Sequence, residues 1–216
     1  MHSTDLRGTD FAIAIDGRDA TLPDVLGDFA ITRRVGVICP APLDGLGAAT
    51  LLMAAVTAFY DGYRRLGGAF FAYPDFYTLQ LQAPVADYGM FDIWPAHKNV
   101  AVDQNPSTAL LADAITDRGI DTLLVPEGWQ GNSPLQPVQL SALQRTLRSA
   151  FVYAPGGTVA GAEISIGCAR EPLMSWADKV IATVTGAGPS WFARTEADQL
   201  EQSFHRLAPA DAIAHL

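Results

Sequence analysis

Short unbroken apolar runs alternate along the chain with longer stretches of helical spacing. Residues 35–39, VGVIC, form a run typical of a strand buried on both faces. From about 46 to 66 the spacing turns helical, with Leu51, Leu52, Ala55, Val56, Phe59 and Tyr63 on one stripe and Gly67-Gly68 at the end. Residues 76–82, FYTLQLQ, alternate in part and read as a strand with one covered face. Asn105-Pro106 offers a cap and a proline at the first helical position. Leu110, Leu111, Ala114 and Ile115 then share a face, and Gly119 ends that helix. DTLLVP (121–126) follows at once as a buried strand, so 100–126 reads as a strand–helix–strand unit with a right-handed crossover.

The remaining segments extend this pattern. Residues 11–16 form a short strand and 17–28 are rich in turn residues. Pro137 starts a helix to about residue 150, with Leu140, Leu143, Leu147 and Phe151 inward. Strand-like runs at 151–154 and 158–167 flank Pro155-Gly156-Gly157 and suggest a hairpin. Glu171-Pro172 opens another helix. Residues 195–207 read as a last short helix, with Thr195 and Asp198 at capping-box spacing and Leu200 and Phe204 inward. The expected fold is therefore α/β: one domain spanning 1–216, its first ten or so residues flexible, built on a mixed sheet with helices on both faces. The sheet is mostly parallel, with antiparallel additions expected from 70–94 and 151–167.

Composition narrows the class. A chain of 216 residues, 49% apolar and only 17% charged, buries a large core without disulfides. The net charge of −9 and pI near 4.7 argue against nucleic acid and against anionic membranes as partners. No run approaches the roughly 18 apolar residues of a spanning helix, and the N-terminus lacks the apolar core of a secretory signal. With only two cysteines, Cys39 and Cys168, no disulfide framework exists, and residence in the cytoplasm is the expectation.

Candidate chemistry concentrates in 88–103, YGMFDIWPAHKNVAVD, which sets Asp92, Trp94, His97 and Lys98 within seven residues. A histidine near a carboxylate moves protons at neutral pH, and a lysine steadies a developing anion. Pro95 interrupts the strand pattern, so His97 and Lys98 are expected in a connection that folds Asp92 towards His97. These three are the candidate catalytic residues. HxH, HExxH and CxxC spacings are all missing, so no metal site is assigned, and no cofactor is specified by any motif.

Other groups join the candidate set as ligand contacts. Asp44, Gly45 and Gly47 lie in a strand-to-helix loop of the kind that holds anions. Tyr77 and Trp94 belong to an aromatic group that can wall an apolar pocket, and Trp129 sits in a polar loop, 127–137, after a strand's carboxyl end. Cys39 and Cys168 each end a strand shortly before a helix and are candidate nucleophiles. The preferred reading is an enzyme acting on a small molecule by metal-free acid–base chemistry (hydrolase, isomerase or lyase type) in a strand-end pocket. Its competitor is a non-catalytic module that binds a metabolite or a protein, paired as a homodimer through a sheet edge.

VGVIC, a loop and a long helix, followed later by DTLLVPEG, also resemble the start of the class I amidotransferase-like folds. In SAFVYAPGG, Tyr153 stands where that family has its nucleophilic cysteine, and Cys168 lies further along in a different context. The resemblance implies a related α/β architecture and transfers no residue's role.

Overall fold

The computed structural model describes residues 6, 9–26, 34–39, 51, 52, 54–56, 58, 59, 75–81, 97–101, 108–131, 135–154, 159–173 and 198–216. One mixed sheet carries them. Its strands are β1 (Phe11–Ile15), β2 (Arg18–Asp19), β3 (Arg34–Cys39), β4 (Asp75–Gln80), β5 (His97–Ala101), β6 (Thr122–Pro126), β7 (Ser149–Tyr153), β8 (Ile164–Ala169) and β9 (Gln199–Leu207). The helices are α1 (Leu22–Leu26), α2 (Thr108–Asp117), α3 (Pro137–Thr146) and α4 (Pro209–His215), with further helical residues between 51 and 59 and from 170 to 173. In space the strands run β2-β1-β8-β9-β7-β6-β3-β4-β5. Among the described residues no helix is long and apolar enough to cross a membrane.

The apolar runs explain the centre of this order. Every residue of β3 after Arg34 is buried, and so is every residue of β6. Strand residues alternate between faces, and two separate core clusters receive them. Val35, Val37, Cys39 and Leu124 join a cluster with Leu22, Val25, Leu51, Leu52, Ala55 and Val56. Ile38, Leu123 and Val125 join another with Leu111, Ile115, Leu143 and Ile213 from α2, α3 and α4. Where β3 turns Gly36 to the second cluster, Ile120 fills the place of a side chain: a Cβ there would stand 2.9 Å from Ile120 Cγ2.

Strand direction departs from expectation in an instructive way. The strand at 75–80 pairs with β3 in parallel, Arg34↔Asp75 through Cys39↔Gln80, where an antiparallel addition was expected. Parallel pairing needs a long crossover, and the segment holding helical residues 51–59 provides its length. β7 is likewise parallel to β6. The hairpin expected at 151–167 does not form, because β9 lies between β7 and β8 and pairs antiparallel with both. The segment 195–207, expected as a helix, is thus strand over its described part. Leu200, Gln202 and Phe204 are buried at a spacing of two, and β9 satisfies backbone groups that β7 and β8 would otherwise leave open.

Smaller corrections follow from the same packing. α3 stops at Thr146, and β7 begins at Ser149. Leu143 is buried, whereas Leu140 is 38% exposed. Phe151 belongs to β7 and to the first cluster. Leu6, within the N-terminal stretch expected to be flexible, is buried in that cluster, and its carbonyl accepts a hydrogen bond from the Thr9 N–H at 3.1 Å. A C-terminal helix, α4, buries Ala212 and Ile213 against the second cluster.

Candidate functional site

Five strands, β3 to β7, form the parallel part of the sheet and stand in the order β5-β4-β3-β6-β7. The chain lays down β3, β4 and β5 towards one edge and then returns to the other side of β3 for β6 and β7. The direction of winding therefore reverses between β3 and β6. In open α/β sheets such a reversal sends the flanking connections to opposite faces and leaves a crevice outside the strands' carboxyl ends.

The local pairing is interrupted at the same place. β3 and β6 pair only from Val35↔Thr122 to Val37↔Leu124. On either side the ladders run further, to Cys39↔Gln80 and to Pro126↔Tyr153. Ile38 and Cys39 thus part from Val125 and Pro126. Pro126 has no N–H to offer a ladder. The Cys39 carbonyl accepts from the Leu81 N–H at 3.1 Å, on the β4 side, so the preceding carbonyl of Ile38 faces the opening. Its partner comes from β7: the Tyr153 hydroxyl donates to Ile38 O at 2.6 Å, from a side chain with no exposed surface.

The loop after β6 forms one lip and is tied at three points. The Glu127 N–H donates to the Tyr153 carbonyl at 2.8 Å, Trp129 N–H to Pro126 O at 3.0 Å, and Gly131 N–H to His215 O at 2.7 Å. Gly128 takes φ +74°, which a side chain would oppose. Glu127 is exposed, while Trp129 packs on the second cluster with its indole Nε1 buried and without a hydrogen-bond partner.

The residues singled out from sequence are dispersed. His97 and Lys98 are the first two residues of β5, in register with Phe76 and Tyr77, and not in a connection as expected. Pro95 precedes the strand and does not prevent it from starting two residues later. Among the described strands the pair therefore begins an end strand at its amino terminus, whereas β3 and β6 part at their carboxyl termini. Asp92, Trp94, Asp44, Gly45 and Gly47 lie outside the described residues. Tyr77 is buried in the second cluster, and Asp75 stands 3.7 Å from Arg34 Nε. Trp129 alone among the expected ligand contacts is described at the crevice.

Both candidate thiols are buried. Cys39, at the end of β3, is buried and its Sγ contacts the Val37 carbonyl at 3.5 Å. Cys168 is buried in β8, and burial pushes its thiol up to about 11. At pH 8 the thiolate is then about a hundredfold scarcer than for a thiol at 9.0. Native Cys168 is accordingly expected to react with a disulfide reagent at least that much more slowly than in urea-unfolded protein. Equal rates would show that the site opens readily.

No family model, curated protein or solved structure matches the chain. Any functional reading therefore stands on the geometry.

Two features escaped the sequence reading. Tyr153 was noted only for the place it takes in the amidotransferase-like resemblance, yet it bridges β7 to β3 across β6. His205, assigned there to a helix, lies in β9, with Nδ1 2.6 Å from Glu163 Oε2, while Glu163 Oε1 accepts the Arg206 N–H at 2.8 Å. Forty-two positions separate that pair, so no local motif announces it. Among the described residues no group of three or more His, Cys, Asp or Glu side chains converges as a metal site.

Proposed function

We propose that this protein binds a small metabolite in the crevice between the carboxyl ends of β3 and β6. The observation that carries the reading is the reversal of strand order at β3/β6, together with the early end of their ladder. A crevice of this kind offers a ligand fixed backbone polar groups and an apolar floor. The thrice-tied loop 127–131 supports a preorganised lip, which lowers the ordering cost of binding. This is the binding half of the sequence reading. Acid–base turnover by His97, Asp92 and Lys98 is a separate step that the crevice does not require.

A metabolite library screened by thermal shift, followed by amide hydrogen exchange with each hit, tests the proposal. Slowed exchange at 127–131 and around the end of β3 is expected. Protection confined to other elements would overturn it. His97→Gln is expected to leave the affinity of such a hit unchanged within about twofold, since β5 begins at the other end of the sheet. A large loss of affinity in that variant would restore 88–103 to the binding site.

A further inference from the structure

The carboxyl-end edge of the sheet holds a second opening. β7 and β8 are each antiparallel to β9, so they are parallel to one another, and β8 runs on past the end of β7, from Ile164 level with Tyr153 to Ala169. A cavity of about 660 Å³ opens there, lined by Ala169, Arg170, Glu171, Pro172, Asp198 and Gln199. It lies roughly 14 Å across the strands and roughly 17 Å further along them from the β3–β6 crevice, and so stands independently of the reading above.

The state of Arg170 makes this cavity unusual. Its backbone N–H donates to the Asp198 carbonyl at 2.9 Å, which anchors the residue to the start of β9. Its side chain is half-buried, and Nε is buried with no hydrogen-bond partner. Among the described residues its guanidinium has no ion pair. A guanidinium N–H that has lost water without gaining an acceptor, as at Nε, costs free energy, and in a chain of net charge −9 carboxylates are plentiful. Two of them, Glu171 and Asp198, line the same cavity, exposed and likewise without an ion pair among the described residues.

We propose that this cavity binds a zwitterion, specifically a free α-amino acid. Its carboxylate meets the Arg170 guanidinium, and its ammonium meets Glu171 or Asp198. The charge pattern selects that class. A simple anion that reaches Arg170 also faces two carboxylates, and a simple cation that reaches the carboxylates also faces the guanidinium. A molecule with both groups on one carbon meets the guanidinium and a carboxylate together. A volume in the range of small-molecule sites leaves room for a side chain beyond the two charged groups.

The test uses the full chain and the twenty common α-amino acids, added singly and read by thermal shift and calorimetry. For each hit, the acid lacking the amino group and the amine lacking the carboxylate serve as matched probes. At least one amino acid is expected to bind, with both matched probes weaker by about tenfold or more. Arg170→Gln is expected to lose a similar factor, and Arg170→Lys, which keeps the charge without the planar fork, to lose less. Should Arg170→Gln fail to fold, the double variant Glu171→Gln/Asp198→Asn carries the test from exposed positions. It is expected to bind the deaminated acid as well as the amino acid. Failure of all twenty to bind, a matched probe binding as tightly as its parent amino acid, or unchanged preference for the amino group in the double variant would each overturn the proposal. Hydrogen exchange separates the two sites: protection at 169–172 and 198–199 belongs to this cavity, and protection at 127–131 to the crevice.

Discussion

Tyr153→Ala is expected to destabilise the protein by about 3–5 kcal/mol, the range for removing a large aromatic side chain from a close-packed core. Tyr153 has no exposed surface and belongs to the first core cluster with Val37, Cys39 and Leu124. Two contributions are combined in that figure, and Tyr153→Phe separates them. Phenylalanine keeps the ring but leaves the buried Ile38 carbonyl without the hydroxyl that now meets it at 2.6 Å. An unsatisfied buried acceptor costs about 1–3 kcal/mol, which lowers Tm by roughly 2–12 °C in a chain of this size. Thermal and urea unfolding of both variants measure the split. If Tyr153→Phe melts with the wild type, water replaces the hydroxyl, and the crevice is wet as far as Ile38. That outcome would also enlarge the space assigned to a ligand.

The second large effect is expected at Gly36, where β3 meets the turn that ends α2. Gly36→Val places a Cβ 2.9 Å from Ile120 Cγ2 and 3.0 Å from Ile120 Cδ1, closer than carbon atoms pack. Ile120 is fully buried, and Gly119, just before it, takes φ +61° to make the turn. Retreat is further limited because the Asp121 N–H donates to the Arg34 carbonyl at 3.0 Å and the Asp121 carboxylate accepts the Arg34 N–H at 3.3 Å. Overpacking of this kind costs about 1–3 kcal/mol, and a β-branched residue beside an immobile neighbour falls at the upper end. Ile120→Ala in the Gly36→Val background should recover part of the loss, because it removes the opposing methyl groups. Urea unfolding of the two single variants and the double variant reads that coupling directly. Additive losses would mean that the strand itself moves to admit valine.

Much of the fold follows from patterns that single segments carry. β3 and β6 are continuous apolar runs because both their faces are covered, and that requirement is visible in five or six residues. α2 announces itself by its spacing, and Gly119 by the turn it must make. The candidate site was less legible. Trp129 was placed after a strand end, where it lies, but His97 and Lys98 were assigned to a connection because Pro95 was taken to bar a strand. A proline bars pairing only at its own position and leaves the residues two and three beyond free to pair. Glu163 and His205 are neighbours only because β8 and β9 are.

The sequence by itself determined the α/β class, the two central buried strands and the helix between 108 and 117, because periodicity is a property of single segments. Tertiary structure alone decided strand order and direction, the entry of 199–207 between β7 and β8, and the parting of β3 from β6 that Tyr153 closes. Those features depend on which backbone groups remain unpaired once the central strands have met, and that is settled by distant segments competing for the same edges.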